Sequence, residues 1–487
     1  MKKLILFFTG ILIILTGNAQ CSFFKWYPST TNEYIYCGIE AEDGSFLISG
    51  EYSQDFYARK SGYLLKIDAM GNFVQQNITP FNDTSFSHGI IFKIPGETGI
   101  VNVTSIGDFM LNDTIIHSNY YSKYTEDFEL ISSKRFSSPY NFYLYPQAYA
   151  IPDNNNVYVL STILNHYFFP SGINITKYSP QFDSITSHQI DRYGMQSFGL
   201  VWDSIHSTLK AFSDVKGDYL FVTRVSQDLQ FKEEKNLPYF VSSTCVTALQ
   251  DTMYLLTGVT DNIAGVKAHI KVKKYNSEDT LIKSIEYYNH PDTVLYSGAV
   301  KNTAIIEDKI FIVGVYNVDP GQFPWQTTPT WILVTRIDTS LQILDQHFYG
   351  GDAFYIPYHI IKTTDGGALI IGNRYDYNTP WEQKYHIFTL KVNSDGLITE
   401  LPEHPQAKAH VAAIYPNPGT DYLNIQSGPQ ITGAQFYIFD LQGKPVCNEK
   451  INSTQLKVNT LTLASGTYTW QIVFKNKVIE SGKWIKQ

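Results

Sequence analysis

Apolar and polar residues alternate in short runs along most of the chain, and the clearest series lies between residues 349 and 401. The predicted strands of this series are 358–364, 368–373, Tyr385–Val392 and a last short one from 397 to 401. The turn sequences Asp365-Gly366-Gly367 and Asn393-Ser394-Asp395-Gly396 separate them. Glycine permits the positive φ of a tight hairpin, and Asn or Asp favours the turn before it. The pattern predicts a unit of four antiparallel strands.

The same pattern recurs, in weaker form, along the chain before this unit. In each copy an apolar strand ends in a basic residue. Ile, Val or Tyr follows this residue, and a polar turn comes next. The basic positions are Lys66, Lys123, Lys177, Arg224, Lys274, Arg336 and Lys391. Their mean spacing is about 54 residues, and such a period with several strands per unit is typical of propellers. We therefore predict an all-β fold with a seven-bladed β-propeller over residues 20–400; a series of two-sheet sandwiches is the alternative.

The unit at 349–401 also resembles the propeller repeats of secreted bacterial proteins. The resemblance rests on Tyr349-Gly350-Gly351-Asp352 and on Thr364-Asp365-Gly366-Gly367 followed by Gly372. Earlier units share only the pattern of strands and turns. Because propellers serve many unrelated activities, the resemblance implies a fold and leaves the function open.

The N-terminus has the three parts of a secretory signal peptide over residues 1–19. Lys2 and Lys3 form the positive region, residues 4–15 the apolar region, and Gly17-Asn18-Ala19 the cleavage site. The mature chain is expected to begin near Gln20. A lone membrane anchor and a lipid on Cys21 are the alternatives; Gln20 stands where lipidation needs a small residue.

Residues 401–412 contain two prolines among scattered polar residues and are predicted to be a linker. A small β-sandwich is predicted over residues 413–487. Its predicted strands are Asp421–Gln426, Gln435–Asp440, Gln455–Asn459, Gly466–Phe474 and Lys477–Lys486. Its motifs are Tyr415-Pro416-Asn417-Pro418, Asp440-Leu441-Gln442-Gly443-Lys444, Leu463-Ala464-Ser465-Gly466-Thr467-Tyr468 and Gly482-Lys483-Trp484-Ile485-Lys486-Gln487. In order and spacing they resemble the type A C-terminal sorting domain of the type IX (Por) secretion system. An ordinary accessory sandwich is the alternative.

That resemblance implies an immunoglobulin-like (Ig-like) domain that is read by the type IX secretion machinery during passage through the outer membrane. It also implies removal of the domain, with the rest of the chain released or attached to surface lipopolysaccharide. The residues that match the sorting motifs are Pro416, Asn417, Pro418, Asp440, Gly443, Gly466, Tyr468, Gly482 and Lys483. They belong to a transport signal and are not a catalytic set.

Charge and cysteine content narrow the function further. The chain carries 37 basic and 45 acidic residues, and the net charge of −8 argues against nucleic acid as the main partner. A disulfide between Cys21 and Cys37 is one hypothesis for an exported chain, although spacing alone does not establish it. The sequence has no CxxC, HxH or HExxH spacing, so no metal or cofactor is predicted.

No nucleophile motif or glycine-rich phosphate loop is present either, so no catalytic residue is predicted and enzyme activity stays open. Thr363-Thr364-Asp365-Gly366-Gly367 partly matches the Asp-box of sialidases. Ile370 stands where that box has an aromatic residue, and we interpret the segment as a hairpin turn. A pair of carboxylates for glycoside cleavage meets only in space and cannot be chosen from sequence.

Several long loops predicted between second and third strands carry aromatic residues with proline. The candidate ligand contacts are Tyr57, Phe169, Trp325 and Trp381. Exposed flat rings bury a large area with little loss of rotamer freedom and suit sugars or a protein partner. The alternative is that these rings pack back onto the rim of the propeller. We expect a secreted or cell-surface binding or adhesion protein; a polysaccharide hydrolase and a structural surface-layer role are the competing hypotheses.

Six Asp-Ser/Thr-apolar triplets resemble the O-glycosylation acceptor motif of bacteria that use this secretion system. They begin at Asp113, Asp183, Asp203, Asp251, Asp279 and Asp292. Chance and the turn preference of Asp-Ser/Thr explain some of them. Glycosylation of at least one is an expectation.

Overall fold

The computed structural model describes the chain in two compact units, 1–404 and 405–487. The described residues are 21–29, 31–54, 60–79, 88–109, 115–137, 143–152, 156–165, 169–215, 219–238, 242–249, 253–260, 268–287, 295–297, 301–318, 327–377, 384–398, 412–415, 419–427, 431–440, 444–474 and 477–487. Within them every element is a β-strand, and no helix is long and apolar enough to cross a membrane. The predicted signal peptide and residues 401–411 of the predicted linker lie outside these ranges, and Ala412, the last residue of that linker, is the first residue of a strand.

Strand β1 (Phe23–Tyr27) is followed along the chain by a series of antiparallel sheets. Sheet 1 is β2 (Asn32–Glu40), β3 (Phe46–Ser53), β4 (Ser61–Ile67) and β5 (Phe73–Thr79). Sheet 2 is β6 (His88–Phe92), β7 (Ile100–Phe109), β8 (Ile115–Tyr124) and β9 (Leu130–Ser137). Sheet 3 is β10 (Tyr143–Ala150), β11 (Val157–Leu164), β12 (Pro170–Tyr178) and β13 (Ser184–Asp191). Sheet 4 is β14 (Met195–Asp203), β15 (Thr208–Val215), β16 (Tyr219–Ser226) and β17 (Phe231–Leu237).

The series continues in the same order. Sheet 5 is β18 (Ser242–Leu249), β19 (Met253–Val259), β20 (Ile270–Asn276) and β21 (Leu281–Tyr287). Sheet 6 has a divided first strand, β22 (Leu295–Ser297) and β23 (Thr303–Ile306), then β24 (Lys309–Tyr316), β25 (Trp331–Asp338) and β26 (Ile343–Gly350). Sheet 7 is β27 (Phe354–Lys362), β28 (Ala368–Tyr375) and β29 (Tyr385–Val392), with β1 as its outermost strand.

The pairing of β1 with β29 joins the two ends of this unit in one sheet. The antiparallel register runs from Phe23 opposite Lys391 to Tyr27 opposite Ile387. We predicted a last strand at 397–401 instead; Leu397 and Ile398 are not in a strand, and residues 399–401 lie outside the described ranges. The N-terminal strand covers the edge of β29, which would otherwise expose unpaired backbone groups.

Each sheet packs against the next, and the order of contacts returns to its start. The first strands of neighbouring sheets touch one another, and β2 of sheet 1 packs against β27, β28 and β29 of sheet 7. The repeated four-stranded sheets arranged in this way form a β-propeller fold. Their apolar faces bury one another, as in the cluster of Phe46, Leu65, Leu369 and Ile387 that spans sheets 1 and 7.

A β-bulge interrupts the first strand at the same level in several sheets. The register shifts lie between Ile35 and Cys37, Pro146 and Ala148, Ser197 and Gly199, Ser243 and Cys245, and Pro357 and His359. The residues after the shifts, Cys37, Ala148, Gly199, Cys245 and His359, all line one central cavity. A bulge bends a strand and redirects its side chains, so this repeated irregularity positions the cavity wall.

The cysteines do not pair as we hypothesised. None of the four cysteines, Cys21, Cys37, Cys245 and Cys447, is in a disulfide. The buried Cys37 Sγ donates to Gly89 O at 3.3 Å and accepts from Ile91 N at 3.1 Å. The Cys37 thiol is therefore engaged by backbone groups of the neighbouring sheet 2.

The second unit contains two sheets that share one apolar core. One sheet is β30 (Ala412–Tyr415), β31 (Tyr422–Ser427) and β34 (Gln455–Asn459). The other is β33 (Pro445–Lys450), β32 (Gln435–Phe439), β35 (Gly466–Phe474) and β36 (Lys477–Lys486). Leu423 and Val458 of the first sheet pack with Phe436, Ile472 and Trp484 of the second. The shared core makes the unit a small β-sandwich.

Candidate functional site

Of the four predicted ligand contacts, Phe169 lies in the described part of the chain. Tyr57, Trp325 and Trp381 lie outside it. The Phe169 side chain follows β11 and is 56% exposed. Its backbone is fixed from both sides, because Asn165 N donates to Phe169 O at 2.9 Å and Phe169 N donates to Asn165 Oδ1 at 3.1 Å. The backbone of Phe169 is therefore held beside the end of β11, and its ring is exposed to solvent.

Two further exposed rings lie at the same end of sheets 3 and 4. Tyr193, between β13 and β14, is 75% exposed, and Tyr219, the first residue of β16, is 55% exposed. Gly194 N donates to Pro170 O at 2.8 Å, which places Tyr193 near Phe169. Tyr219 pairs with Val215, which in turn pairs with Met195, two residues after Tyr193. We call Phe169, Tyr193 and Tyr219 the aromatic patch.

Side-chain contacts of Arg192 and Phe221 lie next to the aromatic patch. The Arg192 guanidinium lies 4.1 Å from the centroid of the Phe221 ring, and its Nη2 donates to Glu234 Oε1 at 2.9 Å. Phe221 also contacts the Tyr219 ring at a centroid distance of 5.9 Å. The sequence pattern did not mark Tyr193, which follows a fourth strand, or Tyr219, because the segment before it contains no proline.

A second candidate site is the central cavity, which has a volume of about 800 Å³. Every sheet of the propeller contributes to its wall from the first strand. The wall is largely apolar, and its charged or titratable groups include Glu40, Lys93, Lys301, His359 and Lys362. Lys93 Nζ is paired with Glu126 Oε1 at 2.5 Å. Glu40 accepts from Thr364 N at 2.7 Å and from Thr364 Oγ1 at 2.8 Å.

A smaller cavity of about 320 Å³ lies beside β1, and Glu33 lines it together with Tyr27, Ser29, Tyr52 and Tyr63. Burial raises the pKa of the Glu33 carboxyl from 4.5 to about 7, and a hydrogen bond from Ser29 opposes this rise. A carboxyl group that stays protonated near neutral pH has the pKa range of a general acid.

A cluster of ionisable groups ties sheet 4 to sheet 5. Lys210 Nζ lies 3.1 Å from Asp203 Oδ2 and 3.0 Å from Asp279 Oδ1. His206 contacts Asp203 through Nδ1 at 2.9 Å and Glu278 through Nε2 at 3.1 Å. Since both ring nitrogens already face carboxylates, we interpret the cluster as structural. In the described part of the chain no group of three or more His, Cys, Asp or Glu is arranged to hold a metal ion.

Three of the Asp-Ser/Thr-apolar triplets fall on described residues, and all three lie at hairpin turns. Ser184, Ser204 and Thr280 are exposed at the ends of their turns. The preceding Asp203 and Asp279 belong to the ionic cluster described above, which gives these two positions a structural reason to be Asp. Glycosylation stays a prediction at these sites, and the remaining triplets are wholly or partly outside the described residues.

Several predicted sorting residues have structural roles in the second unit. Tyr468 donates its hydroxyl to Ala464 O at 2.8 Å and contacts the buried Trp484 ring at a centroid distance of 5.9 Å. Asp440 Oδ1 accepts from Lys444 N at 2.9 Å and closes a hairpin turn. Gly482 lies against Trp470, where an added Cβ would come within 2.5 Å of the indole ring. Gly466 has open space around it.

Lys483 pairs with Thr469 in the ladder between β35 and β36. The predicted residues Pro416, Asn417, Pro418 and Gly443 lie outside the described ranges. The motifs therefore hold the sandwich together at more than one point, whatever their role in transport.

Residues 413–487 match the family model described as "Secretion system C-terminal sorting domain". This confirms the resemblance found in the sequence: the chain is a type IX secretion cargo with a β-propeller fold, hence a secreted or cell-surface protein that interacts with that secretion machinery. No curated protein has significant sequence similarity to the chain.

Solved structures with a similar fold share little sequence with it. One is the β-propeller domain of the Trilobed protease from Pyrococcus furiosus, with 8% identity, 77% of this chain and 100% of that chain covered, and a TM-score of 0.43. A protein of unknown function from Dyadobacter fermentans has 10% identity, 76% and 97% coverage, and a TM-score of 0.45. PorZ, a surface component of the type IX secretion system of Porphyromonas gingivalis, has 10% identity, 91% and 73% coverage, and a TM-score of 0.29. Similarity at this level says nothing about function.

Proposed function

We propose that the chain is a secreted or surface-attached binding protein whose propeller contacts an extracellular glycan or protein through the aromatic patch. The observation that carries this proposal is the exposure of Phe169, Tyr193 and Tyr219 on one end of two adjacent sheets. The backbone hydrogen bonds beneath them reduce the entropy lost on binding. Rings held in this way can stack on a sugar face or insert into a protein surface.

The architecture we propose is a seven-bladed propeller followed by an Ig-like sorting domain. Seven sheets within residues 21–398 of the described chain, and the pairing of β1 with β29, support the blade number. Two sheets over one core support the sandwich. Residues 1–19 would direct export and residues 401–412 would link the two domains. Cleavage of the sorting domain would leave the propeller released or attached to lipopolysaccharide.

A propeller hydrolase that acts on extracellular polysaccharide is the second candidate. The observation that favours it is Glu33, a buried carboxyl with a pKa near 7 in the smaller cavity. Glycoside cleavage usually needs a second carboxylate within about 5–10 Å of the first. Among the described residues that line that cavity Glu33 is the one carboxylate, which favours the binding hypothesis.

The test is a triple variant, Phe169→Ala with Tyr193→Ala and Tyr219→Ala, assayed for binding to immobilised glycans and to cell surfaces. Phe231→Ala is the matched control, because Phe231 is 54% exposed but lies on the outer strand β17. We expect the triple variant to bind at least about tenfold more weakly, as loss of two or three stacked rings implies, with an unchanged unfolding midpoint. Wild-type binding by the triple variant would overturn the assignment of the patch.

A second variant separates the patch from the other predicted loops. Trp325→Ala with Trp381→Ala removes two predicted contacts without touching sheets 3 and 4. If this variant loses binding while the triple variant keeps it, the ligand-contact surface belongs to those loops and the patch is rejected. If both lose binding, the contact surface extends around the ring.

A further inference from the structure

The central cavity combines an apolar wall with basic groups that the propeller does not neutralise. Its apolar lining includes Ile39, Ile91, Leu200, Val246 and Ile361, contributed by five different sheets. The volume of about 800 Å³ falls within the range of about 300–1,000 Å³ that is typical of small-molecule sites. The size and the apolar wall therefore suit an organic ligand with an apolar body.

His359 supplies a buried hydrogen-bond donor to this cavity. Its side chain lies on the cavity wall and is 9% exposed. Gly38 N donates to His359 Nδ1 at 3.0 Å, so the proton of the neutral ring is on Nε2. Burial, and then the charge of Lys301, hold the pKa of His359 well below its usual value. Among the described residues no acceptor for Nε2–H is present, so this donor is available to a ligand.

Two lysines bring positive charge to the same cavity. Lys301 and Lys362 both line it, and neither has a carboxylate within 4.0 Å among the described residues. Lys301 forms a backbone bridge with His359, which places the two residues side by side on the wall. The other charged groups of the wall, Lys93 and Glu40, are satisfied by Glu126 and Thr364. Thr364 is neutral, so Glu40 keeps its negative charge, and Lys301 and Lys362 together leave the cavity with one positive charge in excess.

We infer that the central cavity binds an amphiphilic organic anion, with a carboxylate or similar head group at Lys301 and His359. The lysine supplies the charge, and the neutral imidazole supplies a directed N–H; hydrogen bonds to an ionised acceptor are the stronger ones. The apolar body would lie along the isoleucine, leucine and valine side chains of the wall. An inorganic anion would leave that wall solvated, and a neutral amphiphile would leave Lys301 without a partner.

The inference is tested by isothermal titration calorimetry of the whole mature protein with octanoate, octan-1-ol and sulfate. We expect octanoate to bind at one site and at least tenfold more tightly than octan-1-ol or sulfate. Lys301→Met, which keeps an apolar stem at an exposed position, should weaken octanoate binding at least tenfold. Lys283→Met is the matched control, because Lys283 is on the outer strand β21 and donates to Ser340 O at 2.7 Å; it should bind octanoate like the wild type.

His359→Gln provides a second variant, since glutamine can accept from Gly38 N and still donate. It should retain octanoate binding within about threefold, whereas His359→Phe, which cannot donate, should lose it. Three results would each overturn the inference: no octanoate binding by the wild type, equal binding of octanoate and octan-1-ol, or wild-type affinity in Lys301→Met. Octanoate binding should be unchanged in the aromatic-patch variant, so this site and the proposed function can fail separately.

Discussion

The Lys66 ammonium lies 2.8 Å from Asp127 Oδ1 and joins the third strand of sheet 1 to the last turn of sheet 2. Equivalent contacts join Lys177 to Asp228 at 3.1 Å and Arg336 to Asp395 at 3.0 Å. In each pair the acid immediately precedes a turn residue with positive φ, Phe128, Leu229 or Gly396. At these three positions the basic residue that revealed the repeat in the sequence ties successive sheets together, whereas Lys123 and Lys391 pair with Glu97 and Asp365 of their own sheets.

The tie between Lys66 and Asp127 should contribute a modest, salt-dependent coupling. A double-mutant cycle with Lys66→Met and Asp127→Asn is expected to give about 0.5–1 kcal/mol, because Asp127 is largely exposed and its charge is screened. Urea unfolding of the four proteins of the cycle at low and high salt measures this coupling. A control cycle on Lys66 and the distant Asp395 is expected to show no coupling. A coupling of zero would mean that the repeated basic residue does not hold the sheets together.

Asn373 should be important for closing the ring. Its side chain is fully buried, and its Nδ2 donates to Glu33 O at 2.5 Å while its Oδ1 accepts from Ile35 N at 3.3 Å. Asn373→Leu would leave both backbone groups of β2 unpaired, at a cost of about 2–4 kcal/mol. Chemical denaturation should show this loss, and Asn236→Ala on the exposed outer strand β17 should change stability by less than about 0.5 kcal/mol. Equal effects of the two substitutions would refute the role of Asn373.

Glu33 should make the propeller less stable as the pH rises towards neutrality. The pKa of its carboxyl is raised from 4.5 to about 7 in the folded chain. Between these values the unfolded chain releases the proton first, so the free energy of unfolding falls as the pH rises and is level above about 7.

Glu33→Gln removes this dependence. The variant should match the wild type below pH 4.5 and exceed it above pH 7 by at most about 3 kcal/mol. Urea titrations from pH 4 to 8 measure the difference, and the exposed Glu129→Gln should leave the wild-type profile unchanged. A wild-type profile in Glu33→Gln would show that Glu33 ionises normally in the folded chain.

Gly482 and Gly466 should differ in how substitution affects export. Gly482→Ala forces a Cβ against the Trp470 ring and should destabilise the sorting domain by about 1–3 kcal/mol, the usual cost of overpacking. Gly466→Ala meets open space and should leave the domain's stability unchanged. Thermal unfolding of the purified protein, together with the fraction secreted, separates the two effects. Loss of secretion by Gly466→Ala without loss of stability would indicate direct recognition of Gly466.

The sequence pattern predicted strands well where turns are marked by Gly, Asn or Asp. In the second unit the predicted strands Gln455–Asn459, Gly466–Phe474 and Lys477–Lys486 agree with the structure. The strand Pro445–Lys450 was missed because its residues are mostly polar and exposed. Turns with apolar residues at positive φ, such as Phe128 and Leu341, also gave no local signal, because burial rather than turn chemistry stabilises them.

Features that depend on distant parts of the chain could not be predicted. The pairing of β1 with β29 joins residues at opposite ends of the propeller sequence, and no local pattern marks it. Lys301 and His359 meet in the central cavity although 57 intervening residues separate them along the chain. Of the candidate ligand contacts, Phe169 was chosen from its loop composition, whereas Tyr193 and Tyr219 required the arrangement of sheets 3 and 4.

The central claim is that the propeller binds an extracellular ligand without converting it. The most direct measurement is a glycan-array screen of the purified mature protein, with reaction products monitored by mass spectrometry. We predict binding without product for the wild type, and loss of that binding in the Phe169→Ala, Tyr193→Ala, Tyr219→Ala variant. Release of a glycan fragment by the wild type would contradict the claim and direct attention to Glu33.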